Sequence, residues 1–249
     1  MSIKKMIRSL PASIRRILSK QPCKPIEVER AEWSFYLSYL CEEMIVFDVG
    51  AYVGELTLLF SRFVGEKGQV HAFEANAQAF NKMKALCQAA GRSNIFLNHL
   101  ALAEKQGMAE LNVYDSDHLP WSSLAERPLH NYGIDVKPVG KEKVIMTTVD
   151  TYCNRHDINN IDLLKVDVEG AEYQVLLGAQ EMLEAKRIRC CVFEFGQTTF
   201  DMGNNPEDIR TYLAELGYNL ENIVEEDPLF PGGESVQTAY FSMCLARPI

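Results

Sequence analysis

Two stretches of the chain hold residues whose types and spacing suit cofactor binding and proton transfer. The first, residues 47–57, reads Phe-Asp-Val-Gly-Ala-Tyr-Val-Gly-Glu-Leu-Thr, so that Asp48 stands two residues before Gly50. Small residues let a strand turn sharply into a helix while its backbone approaches a ligand closely. Phosphate-binding turns read G-x-G-x-x-G, whereas an acid beside the turn suits a positively charged ligand such as S-adenosylmethionine. Taken alone, this turn could equally be a tight connection between a strand and a helix.

A further acid, Glu74, ends the next predicted strand, 20 residues after Gly54. A carboxylate at that position of a doubly wound sheet can accept hydrogen bonds from both ribose hydroxyls. Together, the turn and Glu74 predict a nucleoside cofactor, and two residues after the third predicted strand are weaker candidates for the adenine pocket. The predicted cofactor-binding residues are Asp48, Gly50, Tyr52, Gly54, Thr57, Glu74, Asn98 and Ala101.

The second stretch, residues 163–172, carries four charged side chains at the end of a predicted buried strand. Lys165 and Asp167 alternate onto one face, where an ion pair would offset the cost of burying an ammonium group. Glu194 ends the neighbouring predicted strand, so we expect Asp167 and Glu194 to face one crevice at the ligand-binding edge of the sheet. Such carboxylates can hold a divalent ion, orient an acceptor hydroxyl or act as a general base, and the sequence does not choose among these. The predicted catalytic residues are Lys165, Asp167, Glu169 and Glu194, and no metal ligand is assigned.

Strand and helix patterns alternate beyond residue 24, which is typical of an α/β protein with a parallel sheet covered on both faces. A single helix is predicted over 170–186 and an irregular loop over 115–142. Two extended segments joined by a Pro/Gly-rich connection end the chain like a hairpin. This order resembles the Rossmann-like class I methyltransferase fold, with a mostly parallel seven-stranded sheet and a C-terminal antiparallel hairpin.

Charge divides the chain into a basic segment, residues 1–24, and one domain, residues 25–249. The segment carries seven Lys or Arg and no acid, so the remainder of this chain of net charge −9 carries −16. A body that acidic disfavours nucleic acid as a partner. The segment itself has apolar residues at helical spacing, so it could contact an anionic membrane surface or a protein, or simply pack on the domain.

Membrane and secretory signals are not predicted, because the apolar runs are short and no signal peptide is recognisable. The seven cysteines are scattered and form no C-x-x-C pair. That usage argues against a zinc site or a disulfide framework and indicates a reducing compartment, the cytoplasm.

Over roughly residues 44–246 the chain resembles the FkbM-type S-adenosylmethionine-dependent methyltransferases. The resemblance implies methyl transfer to a hydroxyl of a sugar, glycan or natural-product acceptor. One position departs from the family pattern, since Tyr52 stands where the family usually has Asn, and its phenol could stack near the cofactor or reduce its binding. The resemblance is carried by F-D-V-G-A-Y-V-G-E-L-T (47–57), F-E-A-N (73–76), S-S-L (122–124), V-D-T-Y (149–152), D-L-L-K-V-D-V-E-G-A-E-Y-Q-V-L-L-G-A (162–179) and F-E-F (193–195).

Two other functions remain open at the level of the sequence. A nicotinamide-dependent oxidoreductase would use the same type of sheet and Glu74, but no G-x-G-x-x-G turn is present. A noncatalytic Rossmann-like binding module would keep the fold without the chemistry, and Tyr52 is its best support. Cofactor titration would separate these from a methyltransferase, whose metal dependence, acceptor and oligomeric state the sequence leaves unassigned.

Overall fold

A central sheet of seven strands organises the computed structural model, which describes residues 25–225, 229 and 241–249. The order across the sheet is β3-β2-β1-β7-β8-β10-β9, in which β10 runs antiparallel to both of its neighbours and the other pairs run parallel. The prediction of a mostly parallel seven-stranded sheet with a C-terminal antiparallel hairpin is therefore confirmed. The basic segment 1–24 lies outside the described residues. The strands are β1 (Ile45–Val49), β2 (Gln69–Phe73), β3 (Ile95–Asn98), β7 (Leu163–Val166), β8 (Cys191–Phe195), β9 (Tyr218–Asn222) and β10 (Ser242–Pro248).

Helices cover both faces of this sheet, which explains why its central strands are apolar almost throughout. One face packs against α1 (Pro25–Tyr39), α2 (Glu55–Val64) and α3 (Ala77–Ala90). The opposite face packs against α4 (Val149–Arg155), α5 (Glu172–Leu177), α6 (Gln180–Glu184), α7 (Gln197–Asp201) and α8 (Pro206–Glu215).

The single helix predicted over 170–186 is wrong, because the structure has two short helices there, α5 and α6. Gly178 lies between these two helices and packs directly on the backbone of Ala103. A Cβ atom at this position would be 2.1 Å from the carbonyl oxygen of Ala103. The sequence pattern is continuous and helical, but the close approach of these two chain segments interrupts the helix at Gly178.

A second sheet of three strands stands beside the first and carries a long connection. Its strands, β4 (Ala101–Leu102), β5 (Gly107–Val113) and β6 (Gly140–Thr147), lie in the order β4-β6-β5. The connection between β5 and β6, residues 114–139, is here named the cover loop. It includes two short 3₁₀ helices, and it is shorter than predicted because β6 begins at Gly140. The Asn112 side chain fixes its first half by donating to the carbonyl of Ala125 at 2.8 Å.

Candidate active site

The turn after β1 adopts a conformation that few side chains tolerate. Gly50 and Gly54 have φ values of +77° and +88°, and Tyr52 between them has +49°. A Cβ atom on Gly50 would be 1.8 Å from the carbonyl oxygen of Asp167, so only glycine fits there. The backbone N–H groups of Gly50 and Ala51 both donate to the carbonyl of Phe73 at 3.0 Å, which ties the turn to the end of β2.

Glu74 is oriented by the same turn. Its Oε2 accepts the Tyr52 backbone N–H at 2.8 Å, and its Oε1 accepts that of Asn76 at 2.7 Å. Burial raises the pKa of Glu74 to about 7, although these two N–H groups lower it. Each carboxylate oxygen retains acceptor capacity after one hydrogen bond, so the pair can still receive two hydroxyls of a ligand.

A cavity of about 210 Å³ opens at this edge of the sheet. Its wall includes the turn, Glu74 and Ala101, and the cover loop closes one side with Leu119 and Leu124. Asp167 and Glu169 line it as well. The volume is below the roughly 300–1,000 Å³ of pockets that enclose a drug-sized ligand, so the cavity holds part of such a molecule. Apolar walls with acids at separate points suit a flat base attached to a polyhydroxyl group.

Lys165 connects the two predicted halves of the site. Its Nζ atom lies 3.4 Å from a carboxylate oxygen of Asp167 and 3.4 Å from one of Asp48. It also donates to the carbonyl of Gly50 at 3.2 Å. Burial lowers the pKa of Lys165, but the charges of Asp167 and Asp48 outweigh burial and hold it above its usual value. The ion pair expected between Lys165 and Asp167 is thus present, and Asp48 joins it from the neighbouring strand.

Asp48 and Thr57 lie beneath the turn and outside the cavity wall. The Thr57 hydroxyl donates to Oδ2 of Asp48 at 2.6 Å, and both residues are fully buried. The amide of Asn98 is also turned away from the cavity, because it donates to the carbonyls of Ala72 and Phe96. Asn98 instead borders a separate cavity near Tyr152. Of the eight residues predicted to bind the cofactor, Gly50, Tyr52, Glu74 and Ala101 line the cavity, whereas Asp48, Gly54, Thr57 and Asn98 do not.

Glu169 anchors the cover loop to the charged segment after β7. Arg127 reaches Oε2 of Glu169 at 3.2 Å, and the Ser123 hydroxyl donates to the backbone carbonyl of Glu169 at 2.7 Å. Burial and the charge of Asp167 raise the pKa of Glu169 to about 8, although Arg127 lowers it. Arg127 was not predicted, because nothing in its local sequence marks it.

Glu172 serves the local structure. Its Oε1 accepts the backbone N–H groups of Val168 at 2.9 Å and Gly170 at 3.1 Å, which fixes the turn that follows Asp167. Burial raises the pKa of Glu172 to about 7, although these hydrogen bonds lower it.

Glu194 and Glu32 add two more carboxyl groups to the face of the sheet that holds Lys165. Glu194 pairs in register with Met243 of β10. Burial and the charge of Asp167 raise the pKa of Glu194 well above its ordinary value. Glu32 comes from α1, where the Tyr36 hydroxyl donates to it at 2.8 Å, and burial raises its pKa although Lys165 lowers it. Glu32 is not predicted from the sequence, because α1 precedes both charged stretches.

No metal centre is formed by the side chains in the described part of the chain. In particular, no group of three or more His, Cys, Asp or Glu residues there is arranged to hold a metal ion. Likewise, no helix among the residues described is both long enough and apolar enough to span a bilayer.

Comparison with known proteins places these features in a wider context. Residues 48–220 match the family described as "Methyltransferase FkbM domain". The 31-O-demethyl-FK506 methyltransferase FkbM of Streptomyces tacrolimicus is 26% identical over 218 residues, which cover 78% of this chain and 79% of that protein.

Two solved structures share the fold. Methyltransferase FkbM from Methylobacillus flagellatus has a TM-score of 0.52 at 14% identity, covering 98% of this chain and 57% of that one. SMU.1697c from Streptococcus mutans, solved in complex with SAH, has a TM-score of 0.50 at 12% identity and covers 91% of this chain and 99% of its own.

Proposed function

Because the chain belongs to the FkbM methyltransferase family, we propose that this S-adenosylmethionine-dependent enzyme methylates a hydroxyl of a small-molecule or carbohydrate acceptor. The observation that carries the proposal is the position of Asp167. Its carboxylate lines the cofactor cavity and is ion-paired with the buried Lys165. A carboxylate held there can accept the proton that a hydroxyl must lose when it attacks a methyl group.

The residues around the cavity fit the cofactor. The turn after β1 brings Gly50 and Tyr52 to the cavity wall, and Glu74 presents acceptor capacity for a ribose diol. Ala101 and Phe73 offer apolar wall for the base. When bound, the cofactor supplies a methyl group on a positively charged sulfur.

Proton transfer and alignment are the tasks left to the protein. The acceptor hydroxyl must lose its proton when its oxygen is methylated, and Asp167 would accept that proton. Lys165 favours the ionised form of Asp167 because its ammonium lies 3.4 Å away. Glu169 and the cover loop border the same space and would exclude water from it.

The nature of the acceptor follows from the charge around it. Asp167 and Glu169 line the cavity, whereas Glu194, which was expected to share a crevice with Asp167, and Glu32 are not part of its wall. Residues 25–249 carry a net charge of −16. A body of that charge repels a polyanion, so we propose a neutral polyhydroxyl or a cationic small molecule rather than a nucleic acid. The name of the Streptomyces relative, an O-demethyl-FK506 methyltransferase, points to a hydroxyl of a natural product as the acceptor of that protein, and it supports the same choice here.

The first test is calorimetric titration of the purified chain with S-adenosylmethionine and S-adenosylhomocysteine, with NAD as a control and with or without Mg²⁺. We expect micromolar binding of both sulfur compounds and none of NAD. Absence of binding would instead favour the noncatalytic module.

The second test is the variant Asp167→Asn, assayed for S-adenosylhomocysteine release with a panel of neutral glycosides and polyhydroxylated macrolides. We expect turnover to fall at least about a hundredfold while cofactor affinity stays within about threefold, as for loss of a general base. Full activity of this variant would exclude Asp167 as the base.

A further inference from the structure

The buried ion pair between Asp48 and Lys165 occupies the centre of the site without touching the cavity. Both side chains are almost fully buried, and their residues are paired in register between β1 and β7. Burying two charges is costly and is often no more stabilising than apolar packing of the same volume. A role in folding alone therefore explains this pair poorly.

The contacts of Lys165 reach both halves of the site. Its ammonium donates to the carbonyl of Gly50 in the turn after β1, residues 50–54, which we name the cofactor turn. It also pairs with Asp167 on the side proposed for the acceptor. Gly50 and Asp167 also approach each other directly, as the absence of room for a Cβ on Gly50 shows. One ammonium group therefore sets the relative position of the cofactor turn and the proposed base.

Asp48 holds that ammonium in place. Its Oδ1 faces Lys165 and has no hydrogen-bond partner among the described residues, while its Oδ2 is occupied by the Thr57 hydroxyl of α2. The Asp48 carboxylate is thus fixed by the first turn of the helix that follows the cofactor turn. Any shift of that turn is passed to Lys165 and from there to Asp167.

We propose that Asp48 and Lys165 are positioning residues that link the cofactor turn to Asp167, so that the two halves of the site are set together. This inference rests on the proposed function for the role of Asp167, but the link itself is a property of the unliganded protein. Asp48 is in this view not a cofactor ligand.

Glu74 offers a means of detecting the link from the cofactor side. Burial is the main cause of its raised pKa, while Lys165 on β7 lowers that pKa and Asp48 on β1 raises it. The backbone N–H groups of Tyr52 and Asn76 donate to it, and the acids Asp167 and Glu169 line the same cavity. Removing one charge or the other must therefore move the titration of Glu74 in opposite directions.

The experiment measures S-adenosylhomocysteine affinity from pH 5.5 to 9 for the wild type and for Asp48→Asn, Lys165→Met and Lys165→Arg. We expect the midpoint of the profile to move down by roughly 0.5 pH unit in Asp48→Asn and up by a similar amount in Lys165→Met. Lys165→Arg retains the charge and should restore the wild-type midpoint. A residue that only packs would lower stability without shifts of opposite sign.

Two outcomes would overturn the proposal. One is a midpoint that is the same in all four proteins, and the other is a shift of the same sign in the Asp48 and Lys165 variants. If Asp48→Asn does not fold, the midpoints of Lys165→Met and Lys165→Arg still test the proposal, because only the first of these variants lacks the charge. If the wild type does not bind S-adenosylhomocysteine at any pH, the proposed function fails, and ¹³C NMR titration of Glu74 in the unliganded proteins tests the link by itself.

Discussion

Tyr52 and Glu74 are joined by a hydrogen bond of 2.8 Å from the backbone N–H of the first to the carboxylate of the second. The acid that we propose to receive the ribose is therefore oriented by the same turn that lines the cavity. This bond uses only the Tyr52 backbone, so it does not depend on the side chain that departs from the family pattern.

Loss of the Glu74 charge should weaken cofactor binding. In Glu74→Gln one oxygen is replaced by an amide NH₂, which cannot accept from a hydroxyl or from the N–H groups that now orient the acid. We expect the Kd for S-adenosylhomocysteine at pH 8 to rise at least about tenfold, about 1.4 kcal/mol. Calorimetry measures this change, and Glu66→Gln, at an exposed position away from the cavity, should leave the Kd unchanged.

Replacement of Tyr52 by Asn should leave the fold more stable than replacement by Ala. Tyr52 has a φ of +49°, a conformation in which Asn is tolerated better than other residues with side chains. We expect Tyr52→Asn to raise the free energy of unfolding by up to about 1 kcal/mol relative to Tyr52→Ala, which removes the ring but gains no such tolerance. Urea denaturation of the two variants tests this, and equal stabilities would contradict it.

The unliganded protein should lose stability as the pH rises from about 5 to 8. Glu172 is almost fully buried, and its pKa in the folded chain is about 7, above the ordinary value of 4.5. A raised carboxyl pKa contributes stability that is fully present below the unfolded value and is lost as the pH rises through the folded one. Glu169, with a pKa of about 8, acts in the same direction.

The variant Glu172→Gln isolates this effect, because it keeps the acceptor oxygen for the backbone but cannot ionise. We expect its free energy of unfolding to change less between pH 5.5 and 8 than that of the wild type, by roughly 2 kcal/mol. Urea unfolding at both pH values measures the difference. Glu104→Gln, at an exposed site, should behave like the wild type, and an unaltered pH slope in Glu172→Gln would refute the assignment.

Arg127 should control how firmly the cover loop stays closed. It is only 12% exposed, pairs with Glu169, and lies 3.7 Å from Asp201 of α7. In Arg127→Met both carboxylates lose this partner, and Lys cannot replace the fork geometry of the guanidinium. We expect amide hydrogen exchange in residues 114–139 to accelerate about tenfold in both Arg127→Met and Arg127→Lys, about 1.4 kcal/mol. Exchange in β1 and β2 serves as the internal control, and unchanged protection of the loop would show that other contacts hold it.

The parts of the site that follow from local rules could be predicted from the sequence. Alternation along a strand places Lys165 and Asp167 together, and the spacing of Glu74 from the turn places it at the end of β2. The same alternation applied to β1 would have put Asp48 on the face of Lys165, but only the register between β1 and β7 shows that they meet.

Other contacts depend on how distant segments pack, and no local pattern reports them. Glu32 enters through the packing of α1 on the sheet, and Arg127 through the path of the cover loop. Asn98 was expected to follow the third strand, but it is the last residue of β3, and hydrogen bonds to the carbonyls of Ala72 and Phe96 turn its amide away from the cavity.

The insertion of β10 between β8 and β9 has a consequence for the order in which the chain can assemble. Until residues 242–248 have left the ribosome, the edges of β8 and β9 that face β10 lack their backbone partner, including the edge of β8 at Glu194. Unpaired strand edges invite pairing with other chains. Nascent chains arrested before this point should therefore be recognised by chaperones or aggregate, whereas addition of β10 gives both strands their partner in one step.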